Sequence, residues 1–341
     1  MDLSLSAARN LGFFRILVLF LAFNYFFSEN FFLRKVLTTW AVIFLIVLLD
    51  IFVEFFFGQN LLGYNGGIYQ NRIVSFFKDE PIVGSYINGF YLIIIGFLLS
   101  QIKFLNKNFI IFFSLIILLS VIFTGERSSS IRTVFSLFLF VSFISIIDFK
   151  KKIIYFLLGL FVMLIIILNS DFLKYRFVNG IKNIPINQNI YFKIYKSGYE
   201  VFKQHPYFGV GNKNYRKVTC DPEILKVNKN KNYLCQTHPH QVYLELLSEH
   251  GIFGTFLIFY ILYKLIFSKI RKVILNQNYI QMGCMLYLIM IFLPLIPSGA
   301  FFGDFLLTLF AINLSLLYSS DSSLNIFNKS IEHKSNTRTG R

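Results

Sequence analysis

The sequence changes character along thirteen residues, which read His240-Gln241-Val242-Tyr243-Leu244-Glu245-Leu246-Leu247-Ser248-Glu249-His250-Gly251-Ile252. The stretch begins with polar side chains and a histidine, and it continues without a break into an apolar run over 251–267. A run of this length is about what ~30 Å of hydrocarbon requires of a helix. The stretch therefore places titratable side chains at the end of a membrane helix.

The composition excludes an ordinary soluble globular protein, because 55% of the residues are hydrophobic, 44 are Phe and only 15% are charged. Apolar runs of roughly membrane-spanning length occur at 13–27, 36–57, 84–100, 108–124, 131–147, 153–169, 251–267, 279–297 and 301–318. Because these runs are continuously apolar rather than alternating, they favour helices over the strands of a barrel. We predict an all-α polytopic membrane protein with about nine transmembrane helices.

Basic residues in short loops predict the orientation, because such loops stay in the cytoplasm. They form four clusters on alternate loops: Lys103 and Lys107; Lys150, Lys151 and Lys152; Lys269, Arg271 and Lys272; and Lys329, Lys334, Arg338 and Arg341. The N-terminus then lies outside, and we expect it to be short or truncated. The predicted domains are N-terminal helices over 1–169, a large periplasmic loop over 170–250, C-terminal helices over 251–318 and a cytoplasmic tail over 319–341.

The 170–250 loop is basic, with twelve Lys and Arg against six Asp and Glu. Fixed cations near a bilayer concentrate phosphate-bearing lipids, which favours an anion site. A solvated basic surface is an equally open interpretation. Cys220 and Cys235 lie in the same loop, where an oxidising periplasm would favour a disulfide between them. We expect no metal site, because the cysteines and histidines lack CxxC or HxxxH spacing.

Four of the five histidines lie in or at the end of this loop: His205, His238, His240 and His250. His240 precedes a helix on which Tyr243, Leu244, Leu247 and Gly251 share one face, which we expect to pack against the membrane bundle. An imidazole in this position can act as a general base, because its pKa is near neutral. A single histidine is more often structural than catalytic. We therefore infer the role of His240 from its position before the helix and not from the number of histidines.

Other short motifs occur in a fixed order along the chain. They are Arg72 to Tyr86, Thr124-Gly125-Glu126-Arg127-Ser128, His205-Pro206-Tyr207-Phe208-Gly209-Val210-Gly211-Asn212, Asn214-Tyr215-Arg216 and Thr237-His238-Pro239-His240. Together with Tyr243, Leu244, Leu247, Glu249 and Gly251 they resemble the O-antigen ligase and polymerase superfamily, from about residue 40 to 318. The family form His-Asn-x-Tyr-Leu has Gln241 here in place of Asn. The Gly209-x-Gly211 pair is too weak for a nucleotide site, so we favour a tight turn.

The resemblance implies a C-type glycosyltransferase architecture that works without a metal or another cofactor. A glycan on undecaprenyl diphosphate would be the donor, and a hydroxyl of an acceptor, foremost the lipid A core, would attack it at the periplasmic face of the bacterial inner membrane. His240 would orient or deprotonate that hydroxyl. Arg127 and Arg216 would stabilise the departing diphosphate, because guanidinium groups bind phosphate in bidentate fashion. Lys193 stands where the family tends to carry an arginine.

Three functions stay open. The leading one is a ligase that joins a lipid-carried glycan to an acceptor, and a close sibling is a polymerase that joins repeat units on the carrier lipid. A flippase or transporter of lipid-linked sugars belongs to a different class. Such transporters usually carry internal repeats, which this chain lacks. We expect no nucleic-acid partner. Asp50 and Glu54 share a helix face in an apolar run, either as functional acids or as interhelical hydrogen-bond partners.

Overall fold

The computed structural model describes residues 4, 7, 10–67, 71–78, 80–101, 107–145, 147–180, 185, 188–223 and 233–327. Over these residues the chain is helical and contains no strand. The helices are α1 (Phe14–Phe26), α2 (Asn30–Phe57), α3 (Val83–Ser100), α4 (Lys107–Phe123), α5 (Arg127–Phe143), α6 (Phe149–Asn169), α7 (Asp171–Lys174), α8 (Ile190–Gln204), α9 (Tyr215–Cys220), α10 (Val242–Leu265), α11 (Ile270–Asn276), α12 (Tyr279–Met290) and α13 (Asp304–Ser319). Lys103 and the basic residues of the predicted tail lie outside the described residues.

The helices fit a multi-pass membrane protein. In the described part, four stretches are long and apolar enough to cross a membrane: Asn30–Phe57, Val83–Ser100, Phe149–Asn169 and Val242–Asn276. Shorter apolar helices are α1, α12, α13 and the Ile111–Phe123 part of α4. The total of nine spans stays a prediction. The predicted span 279–297 is shorter in the structure, because α12 ends at Met290, ahead of two prolines at 294 and 297.

The described chain divides into two compact units. The first comprises Met1–Phe20, Ile184–Ile270 and Ile291–Ala311, and the second comprises Leu21–Asn183, Arg271–Met290 and Ile312–Arg341.

In the second unit, α3 is the most buried of the long apolar helices. Of the 18 residues in its most apolar stretch 72% are buried, against 11% for the corresponding stretch of α6. Helix α3 packs on α12 through two glycines. A Cβ at Gly96 would overlap the Tyr279 carbonyl, and one at Gly283 would overlap the Leu92 carbonyl. Small residues at a helix crossing let the backbones approach closely, which is the usual way membrane helices pack.

Two buried acids on α2 hold the loop that follows this helix. Asp50 accepts hydrogen bonds from the Leu61 amide at 2.9 Å and the Ser75 hydroxyl at 2.5 Å. Glu54 accepts from the Val74 amide at 3.0 Å and the Ser75 amide at 2.6 Å. The partners lie in the loop after α2 and in the short 3-10 helix Ser75–Phe77 that belongs to it, so these four contacts do not join α2 to another long helix. The acids instead provide acceptors for loop amides that would otherwise be buried without partners.

The first unit has a small core of its own. Val201 from α8, Val210 and the α9 residues Tyr215 and Val218 are buried together, with Tyr233 packed against them. The Ser197 hydroxyl lies 2.9 Å from the Tyr215 hydroxyl and accepts from the Leu234 amide at 3.0 Å. Burial raises the pKa of Tyr215 to about 12, so its hydroxyl stays protonated at neutral pH. This core fixes α8 and α9 as a platform beside the start of α10.

Candidate functional site

His238 and His240 form a close pair just before α10, with their rings tilted by 45° to each other. Their ring centroids lie 4.0 Å apart, and the Ser298 carbonyl faces both imidazoles. His238 uses both ring nitrogens: Nδ1 lies 2.9 Å from the Thr237 hydroxyl and Nε2 lies 3.4 Å from the Ser298 carbonyl. Among the described residues, the Ser298 carbonyl is the only hydrogen-bond partner of the His240 ring, and it can occupy one of the two ring nitrogens. His238 is therefore held in place, whereas His240 keeps a nitrogen for a ligand.

The surroundings keep both imidazoles neutral near pH 7. Burial, together with the nearby His240 and Lys213, lowers the pKa of His238 to about 3, against the opposing effect of the Ser298 carbonyl. Burial also lowers the pKa of His240, again against the Ser298 carbonyl. A neutral imidazole can accept a proton, so the electrostatics suit a general base better than a general acid.

The backbone brings His240 to this position through an unusual turn. Its φ is +53°, in the left-handed region that residues other than glycine rarely adopt. The Ser298 amide donates to the His240 carbonyl at 2.9 Å, and the Tyr191 ring stands nearly perpendicular to the imidazole at a centroid distance of 6.3 Å. The histidine is thus enclosed on two sides by segments distant in the sequence.

Helix α10 begins at Val242, directly after the pair. Gln241 is its N-cap, and its side-chain oxygen accepts from the Leu244 amide at 2.8 Å. Gln241, which replaces the asparagine of the family form, therefore still caps the helix, as a side-chain oxygen at this position does.

The predicted packing face of α10 is only partly correct. Tyr243, Leu244 and Leu247 are half-buried, and Gly251 is buried. The side chains most deeply buried in this part of the helix are Val242, Glu245, Leu246, Ser248 and Glu249. Polar residues reach the buried face because each finds a partner there, which an apolar periodicity cannot reveal.

Glu245, Lys213 and Ser298 are components of the site that the sequence did not suggest. Glu245 is 1% exposed and accepts from the Phe301 amide at 2.8 Å. The amides of Lys213 and Tyr215 donate toward the Glu249 carboxylate. Lys213 also lies within electrostatic range of Glu245, Glu249 and His238. The four-residue spacing of the two acids was a usable signal, whereas nothing local marked Lys213 or Ser298.

A glycine clasp joins two of the motifs found in the sequence; it consists of residues 206–211 paired with 248–253. Its four backbone hydrogen bonds run from Val210 to Ser248 (2.9 Å), Gly211 to Glu249 (2.8 Å), Ile252 to Pro206 (2.8 Å) and Phe253 to Tyr207 (3.2 Å). Gly209 and Gly251 have φ values of +67° and +64°, and a Cβ on either would overlap the opposite backbone. Gly251 also interrupts α10 where the apolar run begins. The tight turn predicted at Gly209 and Gly211 thus pairs with a helix break.

The predicted cations of the first unit lie on its surface. Lys193 is exposed on α8, two residues after Tyr191, which contacts the His240 ring. Arg216 is exposed on α9, next to Tyr215. Neither makes an ion pair with a described residue. Both side chains are therefore available to a ligand.

Cys220 and Cys235 form a disulfide in the first unit, with Cα atoms 4.5 Å apart. Cys284 is a free, buried cysteine in α12. Among the described residues, no group of three His, Cys, Asp or Glu side chains is arranged to hold a metal ion.

Arg72 and Arg127 belong to the second unit. Arg127 Nε donates to the Arg176 carbonyl at 2.6 Å, while Arg176 donates to the Gly125 carbonyl at 3.2 Å. Arg72 donates to the Pro81 carbonyl at 3.1 Å and lies near Glu126. These bonds fix both guanidinium groups without neutralising Arg127, which lies at the N-terminus of α5.

Glu126 organises the polar turn before α5. Its carboxylate accepts from the Gly84 amide at 2.8 Å and from the Ser129 hydroxyl at 2.8 Å. A Cβ at Gly84 would lie 2.8 Å from the Glu126 carboxyl carbon, so a glycine is needed for this approach. The Gly-Glu-Arg element predicted from the sequence is therefore a fixed turn that presents Arg127.

The comparisons with known proteins agree with the sequence motifs. A family model described as O-antigen ligase matches residues 112–259. The match contains Arg127, Arg216 and His240, and it confirms the resemblance to the O-antigen ligase and polymerase superfamily. It supports an O-antigen ligase- or polymerase-like activity on lipid-linked glycans. Comparison with curated proteins and with solved structures gives no match.

Proposed function

We propose that this protein is an O-antigen ligase-like glycosyltransferase of the inner membrane. It transfers a glycan from undecaprenyl diphosphate to an acceptor hydroxyl at the periplasmic face, with the lipid A core as acceptor. The observation that carries the proposal is the His240 imidazole, which is neutral and half-buried. Among the described residues it has only the Ser298 carbonyl as a hydrogen-bond partner, so one ring nitrogen is left for a ligand, whereas both nitrogens of His238 have partners.

In the proposed reaction the acceptor oxygen attacks the anomeric carbon of the donor glycan. A new C–O bond forms as the bond from that carbon to the diphosphate oxygen breaks, and the hydroxyl proton passes to His240. The lipid diphosphate leaves with an additional negative charge. Metal ions are not required by this scheme, since an amino-acid base takes the proton and cations stabilise the leaving group.

Arg216, Lys193 and Arg127 are the proposed contacts of the diphosphate. Arg216 and Lys193 are exposed without ion pairs among the described residues, and the Arg127 guanidinium donates to the Arg176 carbonyl. Arginine offers a planar fork to a phosphate, whereas lysine offers a point charge. Substituting Arg216 by lysine should therefore recover little of the activity lost in Arg216→Ala.

Transfer by purified variants tests the proposal. Because His240 has a left-handed backbone, His240→Asn is the preferred variant, since asparagine tolerates this conformation. Its rate of transfer from a lipid-diphosphate glycan to the lipid A core should fall by about 10²–10⁴-fold. His238→Asn is the matched control and should cost less. Full transfer by folded His240→Asn would contradict the mechanism.

The acceptor and the pH dependence sharpen the test. If the wild type extends the glycan on the carrier lipid instead of modifying lipid A core, the protein is a polymerase. Movement of the lipid across the bilayer without transfer would indicate a flippase.

The pKa of His240 is lowered, so the base is unprotonated at and above neutral pH. The rate should be constant near pH 7 and fall only as the pH drops through a value below the ordinary pKa of histidine, about 6.5.

A further inference from the structure

An apolar cavity of about 420 Å³ lies within the second unit, between helices α3, α4, α5 and α6. Its walls are mainly leucine, isoleucine, valine and phenylalanine side chains. Of the described residues that line it, Lys152 alone carries a charge. An apolar cavity of ~150 Å³ already takes up benzene, so this cavity has room for a considerably longer hydrocarbon.

The cavity reaches an exposed apolar surface of the second unit. Phe138 on α5 and Ile153 and Leu157 on α6 line it, yet they are 46%, 46% and 57% exposed. Helix α6 is also the least buried of the four long apolar stretches, with 11% of its most apolar 18 residues buried. In a membrane, the molecules that surround such an opening are lipid chains. A chain can therefore enter from the side without crossing a polar layer.

One lysine, Lys152, lines the cavity. Lys152 Nζ donates to the Ser142 carbonyl at 3.0 Å, which holds it at the rim and leaves two of its three N–H groups for another acceptor. Lys150 and Lys151 precede it and are exposed. Lys151 lies 3.4 Å from Asp148, but both side chains are largely exposed, so this pair is weak. The rim keeps a net positive charge beside an apolar cavity.

We propose that this cavity binds one acyl chain of an anionic phospholipid, with the lipid phosphate at Lys152. The apolar walls take the chain, and the lysine charge selects an anionic headgroup over a zwitterionic one. The site is separate from the proposed transfer chemistry, and its test does not depend on that activity.

Fluorescence quenching by brominated lipids tests the proposal. The chain has one tryptophan, so Trp40→Phe removes the background and Phe156→Trp places a reporter in the cavity wall. The protein is placed in vesicles that contain phosphatidylglycerol or phosphatidylcholine with brominated acyl chains. Phosphatidylglycerol should bind about fivefold better than phosphatidylcholine, the factor that one lysine near a membrane supplies.

Three matched variants locate the effect. Lys152→Gln should lower the ratio of phosphatidylglycerol to phosphatidylcholine binding toward one. Gly159→Phe should abolish the preference by filling the cavity. Gly159→Ala should retain it, because the added Cβ would lie 3.4 Å from Leu115, an ordinary contact. Phe161 on α6 is 60% exposed, so a reporter made by Phe161→Trp should show no preference between the two lipids.

Several outcomes would overturn the proposal. They are equal quenching by the two lipids at Phe156→Trp, an equal preference at Phe161→Trp, and an unchanged preference in Lys152→Gln. Displacement of the brominated phospholipid by undecaprenyl phosphate at equimolar concentration would assign the cavity to the carrier lipid and would also reject the proposed occupant. If Gly159→Phe fails to fold, Lys152→Gln decides the result.

Discussion

Both units hold a loop against a helix, but they use different chemistry. In the second unit, the carboxylates of Asp50 and Glu54 accept hydrogen bonds from the loop after α2. In the first unit, the glycine clasp pairs backbone with backbone. A side-chain acceptor tolerates small shifts, whereas a backbone pair at van der Waals contact allows no added atom. The more demanding arrangement supports the segment that carries His240.

The largest difference between the two loops should appear at Gly251. Gly251→Ala places a Cβ against the backbone of Tyr207 and Phe208. The φ of +64° is also strained for alanine, so relief of the overlap requires the backbone of one segment to move. We expect a loss of the folded first unit and of transfer, measured by thermal unfolding in detergent and by the transfer assay. Gly299→Ala is the control, because nothing lies within 4 Å of its Cβ position. A Gly251→Ala protein as stable as the control would show that the clasp is not needed.

Reduction of the disulfide is the next largest effect. The bond closes a loop with a sequence separation of 15, and such a loop stabilises a protein by about 3 kcal/mol in the chain-entropy model. Reductant should lower the unfolding midpoint of the wild type and leave the Cys220→Ser/Cys235→Ser double variant unchanged. Quantitative alkylation of both cysteines without reductant would disprove the bond. The loop after α2 contains no cysteine, so stabilisation by a disulfide distinguishes the first unit from this loop.

Loss of one hydrogen-bond acceptor of Glu54, in the second unit, should destabilise the protein less than reduction of the disulfide. Glu54→Gln keeps one oxygen but turns a donor toward the Val74 and Ser75 amides, which should cost about 1–3 kcal/mol. Glu29→Gln is the control, because Glu29 is exposed and makes no side-chain cap bond. Equal unfolding midpoints for the two variants would mean that the loop does not depend on Glu54.

The smallest effect is expected at the helix cap. Gln241→Asn replaces a working cap by a stronger one, so the first unit should gain at most about 0.5 kcal/mol. A change in unfolding midpoint near the resolution of the measurement, with transfer retained, is the expected result. Loss of transfer would show that Gln241 does more than cap α10.

The sequence predicted the features that depend on local pattern. Continuous apolar runs predicted an all-helical chain, and the polar start of 240–252 predicted the beginning of α10 near His240. The positions of Ser298 and Lys213 were not predicted, since each depends on contacts between segments far apart in the sequence. Glu245 was missed although its four-residue spacing from Glu249 was a local signal. Length alone also misled at 279–297, where two prolines end the helix early.

The left-handed backbone of His240 has a consequence for protein engineering. A residue with a Cβ held at this φ of +53° costs about 1–2 kcal/mol, part of which glycine would regain. His240→Gly should therefore unfold at the same temperature as the wild type or slightly above it, although it lacks the proposed base. Selection for thermal stability alone would favour removal of this histidine, so stabilised variants need to be selected for transfer at the same time.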